Sequence, residues 1–139
     1  MNGAAQRQPP FQFQLNLNTG VPVYRQIIDQ VLFGIATGVL SGGDQLPTVR
    51  QLAVDLSINP NTVIRAYREL EIRGVLATQQ GTGTFVMPAA VKPDEAERQR
   101  RLSQLVGEFA ARAGGEGFSV QELIDRLVEL QLDTERKRR

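Results

Sequence analysis

The chain has 139 residues, 41% of them hydrophobic and 22% charged, with a formal net charge of +1, the composition of one modest domain or of a small domain with an appendage. Cysteine, histidine and tryptophan are absent, which removes thiol chemistry, disulfides, most zinc sites and the commonest general base together. The opening MNGAAQRQPPFQFQ lacks a signal-peptide core and apolar runs such as Val31 to Phe33 are too short to span a bilayer, so a cytoplasmic location is expected, with no membrane partner, no cofactor and no metal.

Along the chain, residues 1–14 are expected to form a flexible N-terminal arm. From Phe11, apolar Phe11, Phe13, Leu15 and Leu17 alternate with Gln12, Gln14, Asn16 and Asn18, a period-2 pattern that predicts a short strand. Pro22 suits a first helical turn. Tyr24, Ile27, Ile28, Val31 and Ile35 follow at helical spacing until Gly38, and Gly34 within that helix marks close packing. Ser41 to Asp44 is a loop. Thr48 and Gln51 then form a capping box for a short second helix with Val49, Leu52, Ala53 and Leu56 inward.

A third helix over 59–73 begins with Asn59 as cap and Pro60 as first residue. Val63, Ala66, Tyr67 and Leu70 make its buried stripe, and Gly74 stops it. Asn61, Thr62, Arg65, Arg68 and Glu69 are left facing out. Val75 to Gln80 and Thr84 to Met87 flank Gly81-Thr82-Gly83 as a hairpin over 75–87. Pro88 to Pro93 reads as a linker. Two helices follow, broken by Gly114 to Gly117. The second opens with a capping box of Ser119 and Glu122 and a hydrophobic staple of Phe118 and Leu123. The basic run Arg136 to Arg139 reads as a frayed, solvated tail.

Two helices joined by a turn of about four residues and followed by a hairpin make a winged helix-turn-helix. In such units the second helix enters the major groove with its first turn at the base edges. Asn61 and Thr62 stand at that entrance, the free N–H groups of the turn suit a phosphate, and Arg65 extends the face. In an isolated helix the same residues would be solvated first-turn residues; the neighbouring helix, turn and hairpin favour DNA. The net charge gives no global argument for nucleic acid, so any basic surface comes from placement.

The stretch GDQLPTVRQLAVDLSINPNTVIRAYRELEIRGVLATQQGTGTFV, residues 43–86, resembles the winged-helix domain of the GntR family of bacterial transcription regulators, and VPVYRQIIDQVLFGIATGVL resembles that family's first helix. The short C-terminal part is similar to the YtrA-like subfamily, whose tail is a pair of helices. The resemblance implies a mainly α fold with a small β-wing: a winged helix-turn-helix domain over 15–90, and over 91–139 a helical hairpin for dimerisation. It implies that Arg50 contacts phosphate, that Asn59, Asn61 and Thr62 contact DNA from the recognition helix, and that Gln80, Gly81, Thr82 and Gly83 enter the minor groove as the wing tip. Pro60 stands where many relatives outside this subfamily carry a basic residue, which removes one potential contact.

Rival readings are available for single features. Arg50 could pair with Asp55 or Asp44, and Arg68 with Glu71 or Asp29. Gly81-Thr82-Gly83 lacks the helix and the Gly-Lys-Ser/Thr ending of a nucleotide loop. A larger branch of the family carries a pyridoxal-phosphate enzyme domain, for which a chain ending at 139 leaves no room, so no enzyme activity is expected. Leu102, Leu105, Val106 and Phe109 on one C-terminal helix, and Val120, Leu123, Leu127 and Leu130 on the other, form apolar stripes that two helices cannot bury against each other alone. A second copy is the expected cover, giving a homodimeric repressor on an inverted-repeat operator in double-stranded DNA. A winged helix for protein or RNA contact and a switch responding to a small-molecule effector stay open as alternatives.

Overall fold

The computed structural model describes residues 11–88 and 94–138. They fall in two compact units, Met1–Pro88 and Ala89–Arg139. The first contains α1 (Val23–Ala36), β1 (Gln45–Leu46), α2 (Val49–Leu56), α3 (Pro60–Ile72), β2 (Leu76–Gln79) and β3 (Gly83–Val86), and the second α4 (Glu95–Gly115) and α5 (Val120–Arg138). This is a mainly helical fold with one small antiparallel sheet of order β1-β3-β2.

In the first unit α3 is the central helix, packed by α1, α2 and β2. The stripe Val63, Ala66, Tyr67 and Leu70 is buried in full and meets Ile27, Ile28 and Val31 of α1 and Leu52 and Ala53 of α2 in one core. Leu46, Leu76 and Val86 extend that core onto the sheet. Each large aliphatic side chain removed from water contributes about 1.5–3 kcal/mol, so this stripe fixes which face of α3 is left for other work. Ile35 does not join it; it is an exposed residue near the end of α1. A Cβ on Gly34 would lie 3.0 Å from Leu40 Cδ1 and 3.0 Å from Phe11 Cε2, the close approach expected there.

Residues 11–17 are not a strand. The burial alternates from Phe11 to Leu15, with Phe13 buried and Gln14 exposed, and ends before Leu17, which is exposed; the partner is a helix. Gln14 N donates to Gln30 Oε1 at 2.9 Å while Gln30 Nε2 donates back to Gln14 O. One turn earlier on α1, Gln26 accepts from Asn16 N at 2.8 Å and donates to Asn16 O at 2.9 Å. A glutamine amide carries the same donor and acceptor as a peptide unit, so two glutamines spaced i, i+4 replace a neighbouring strand. Of the arm expected over 1–14, residues 11–14 are therefore anchored, with Phe13 in the core and its ring 5.0 Å from that of Phe11 in an edge-to-face contact; residues 1–10 lie outside the described residues.

β1 has no counterpart in the sequence reading. Two residues are too few to show a period, and Gln45 and Leu46 pair with Phe85 and Thr84 only because β3 returns beside them. The two expected capping boxes also differ. Thr48 Oγ1 accepts from Gln51 N at 3.0 Å, yet Gln51 Nε2 donates forward to Asp55 Oδ1 at 2.7 Å and does not reach back. At Ser119 both arms close: Glu122 N donates to Ser119 Oγ and Ser119 N to Glu122 Oε2, each at 3.1 Å. An acceptor one turn ahead, Asp55, takes the Gln51 amide, whereas Arg126 one turn ahead of Glu122 pairs with Glu129 and leaves the Glu122 carboxylate to the Ser119 N–H.

In the second unit α4 continues through Gly114 and Gly115, both expected to break it, and the chain turns at Glu116 and Gly117 with Phe118 N donating to Ala113 O at 2.9 Å. Helix α5 persists to Arg138, so the basic run is helical there, with Arg136 Nη1 3.7 Å from Asp133 Oδ1. The linker expected over 88–93 lies outside the described residues from 89 onward.

Candidate nucleic-acid interface

The interface starts from the turn between α2 and α3. Ser57 adopts a left-handed conformation, φ 55° and ψ 47°, and Ile58 N donates back to Ala53 O at 3.0 Å. That compact stop lets Asn59 begin the next helix two residues later. Tyr67 fixes the pairing of the two helices: its hydroxyl donates to Pro47 O at 2.7 Å, immediately before the α2 cap. Burial holds its phenol above the ordinary tyrosine value of 10.0, because the anion would lose its solvation.

Asn59 caps α3, its Oδ1 accepting from Asn61 N at 2.8 Å. Thr62 N donates to Asn59 O at 2.9 Å, and Pro60 has no N–H. The free N–H groups expected for a phosphate at this turn are therefore already used, and any DNA contact here falls to side chains. Asn61, Arg65 and Arg68 are exposed and Thr62 is half-buried. Spacings of four and three residues place Asn61, Arg65 and Arg68 along one row of the helix surface, opposite the buried stripe.

The charges on this row and on α2 are not cancelled within the unit. Asp55 accepts from Gln51 Nε2, and Asp44 Oδ2 accepts from Ser41 N at 2.8 Å. Among the described residues, neither Arg50, exposed in the first turn of α2, nor Arg68 forms an ion pair, whereas Arg73 lies 3.5 Å from Glu69. Arg65 is held differently: its guanidinium carbon lies 3.7 Å from the centre of the Tyr24 ring on α1.

The wing is the β2–β3 hairpin, whose last pair is Gln79 with Gly83. Gln80, Gly81 and Thr82 form its exposed tip, closed by Thr82 N donating to Gln79 O at 2.9 Å. Gly83 belongs to the strand and not to the tip. Its φ is +137°, and a Cβ there would lie 2.5 Å from Gln45 Nε2. That amide donates to Thr82 O at 3.2 Å, bracing the tip from β1. Gln45 and Tyr24 escaped the sequence reading as parts of this surface, Gln45 because β1 was unread and Tyr24 because it fitted the core stripe of α1.

On the second unit, the apolar residues expected at a dimer contact are open to solvent in the single chain. Leu102, Leu105, Val106, Phe109 and Leu127 range from 48% to 62% exposed, while Leu123 and Leu130 are half-buried. Among the described residues, no helix is long and apolar enough to cross a membrane.

A helix-turn-helix with arginines on the open face of its second helix and a braced β-wing defines a winged-helix DNA-binding regulator. Residues 23–86 match the family described as bacterial regulatory proteins, gntR family. The chain is 35% identical over 104 residues to the HTH-type transcriptional regulator YhcF of Bacillus subtilis, covering 75% of this chain and 85% of that protein. It is 31% identical over 120 residues to the transcriptional repressor YtrA of the same organism, covering 86% and 92%. A solved structure titled a transcriptional antiterminator from Listeria monocytogenes superposes with a TM-score of 0.69 at 27% identity, over 91% of this chain and 94% of that one. The protein belongs to the GntR family and is a transcriptional regulator with a winged-helix DNA-binding domain.

Proposed function

We propose that the protein is a homodimeric repressor that binds an inverted-repeat operator through α3 and the β2–β3 wing. The observation that carries this reading is the exposed row Asn61, Arg65 and Arg68 on the helix whose opposite face is wholly buried. Asn61 and Thr62 read base edges, Asn59 sets the helix start, and Arg50 and Arg65 meet phosphates. Gln80, Gly81 and Thr82 follow the sugar-phosphate backbone or minor groove, and Gly83 lets the tip close against Gln45. The open apolar faces of α4 and α5 take a second copy of the chain, which places two recognition helices about one DNA turn, or a multiple, apart. Repression is drawn from the relative named as a repressor.

Selection of bound sequences from random duplex DNA tests this directly. The enriched sequences should form an inverted repeat with half-sites about 10–10.5 base pairs apart centre to centre, or a multiple of that. On the selected site, Asn61→Ala should cost about 1–3 kcal/mol while binding to random DNA changes little; Arg50→Ala should weaken both and flatten the salt dependence by about one unit of slope. Weak, sequence-independent duplex binding would turn the reading toward RNA or protein contact. An unchanged ratio of specific to random binding in Asn61→Ala would remove α3 from the reading head.

A further inference from the structure

Arg65 is the recognition-helix arginine held by a ring. At 3.7 Å from the ring centre of Tyr24, its guanidinium is well inside the roughly 6 Å reach of a cation–π contact. Among the described residues the other restrained arginines are held by carboxylates: Arg73 by Glu69 at 3.5 Å, Arg100 and Arg101 by Glu97 at 2.6 and 3.4 Å, Arg126 by Glu129 at 3.3 Å and Arg136 by Asp133 at 3.7 Å. A carboxylate fixes a guanidinium by cancelling its charge and occupying its donors. An aromatic face attracts the cation through its quadrupole without neutralising it and offers no carboxylate oxygens to occupy the five N–H groups. Among the described residues Arg65 forms no ion pair. Tyr24 is itself anchored, packed in the first turn of α1 against the core of the unit.

We propose that Tyr24 is a positioning residue for DNA binding, its ring holding Arg65 in advance for a backbone phosphate. This rests on the reading that α3 docks on DNA, and it changes the role of Arg65 within that reading. A side chain stacked against α1 is not free to follow Asn61 and Thr62 to the base edges, so its contact is with the backbone and independent of sequence. The rotamer freedom of an unrestrained arginine opposes binding; the contact with the ring removes part of that freedom before DNA arrives.

The test is a salt series of titrations of the full chain on a random-sequence duplex. Arg65→Ala should weaken binding and lower the salt slope by about one unit. Tyr24→Leu should weaken it several-fold, at most about thirtyfold, with the slope retained because the charge is still present. Tyr24→Phe keeps the ring and should bind as the parent chain does. Arg65→Lys keeps the charge, loses the planar stack and sits on an exposed position without risk to folding; it should show the Tyr24→Leu loss. In the Arg65→Ala background, Tyr24→Leu should add nothing. The proposal is overturned if Arg65→Lys binds like the parent, if Tyr24→Phe loses as much as Tyr24→Leu, or if the Tyr24→Leu loss persists undiminished without Arg65. A parent chain that binds no duplex at low salt overturns the DNA reading itself, and this proposal with it.

Discussion

In α1, Ile27, Ile28 and Val31 have no solvent exposure; in α4, Leu102, Leu105, Val106 and Phe109 stand 48% to 62% exposed. Both helices carry apolar residues at i, i+3 and i+4 spacing, and the pattern alone does not separate them. The difference lies in what the chain supplies as a cover. α1 has a buried face of α3 and an anchored segment laid over it, while the second unit consists of α4 and α5, and among the described residues just Ala113 and Thr134 of that unit are buried. A helical stripe states that a face must leave water; it does not state whether the same molecule provides the place. One region is a core completed within the chain; under the proposed dimer, the other is half of a core.

That contrast can be broken by substitution. The largest effect is expected in the first unit: Ile28→Ala should destabilise it by about 2–5 kcal/mol, read as a shift in the denaturant midpoint that does not depend on protein concentration. In the second unit, Leu105→Glu should cost about 2–4 kcal/mol of association and leave the first unit's transition in place. Sedimentation should show a smaller species, and operator binding should fall as the two half-sites cease to be linked. If Leu105→Glu instead unfolds the whole chain, or leaves its association unchanged, the half-core account fails.

Smaller effects sharpen the account within the first unit. Tyr67→Phe removes the bond to Pro47 O and should cost about 1 kcal/mol. It should also change the alkaline limb. Above the ordinary value of 10.0 the unfolded tyrosine loses its proton while the buried one keeps it, so stability of the parent falls as pH rises through that range. The phenylalanine variant should lose that contribution to the slope, and an identical slope in both would mean that Tyr67 is not the group responsible. The smallest change is Ser57→Gly. A non-glycine residue at φ 55° carries about 1–2 kcal/mol of left-handed strain, part of which glycine returns as unfolded-chain entropy. A gain of about 0.5–1 kcal/mol is expected, and a loss would show that the serine side chain stabilises the turn.

The sequence by itself determined the elements whose information is local. The Asn59 cap, the Ser119 capping box and the hairpin around Gly81 rest on contacts within a few residues, and the α3 stripe on the helical repeat alone; all are present in the folded chain. The outward set Asn61, Arg65 and Arg68 followed from the stripe, because burying one face of a helix leaves the other. What only the tertiary structure decided depends on residues far apart in the chain. The alternation of Phe11 to Leu17 met two glutamine amides instead of a strand. Gln45 became the brace of a wing tip 37 residues away. Tyr24, whose spacing marks it for the core, turned one face to Arg65. A side chain with two usable surfaces, an amide or an aromatic ring, does not record in the sequence which of its neighbours will claim them; that is settled only when the helices pack.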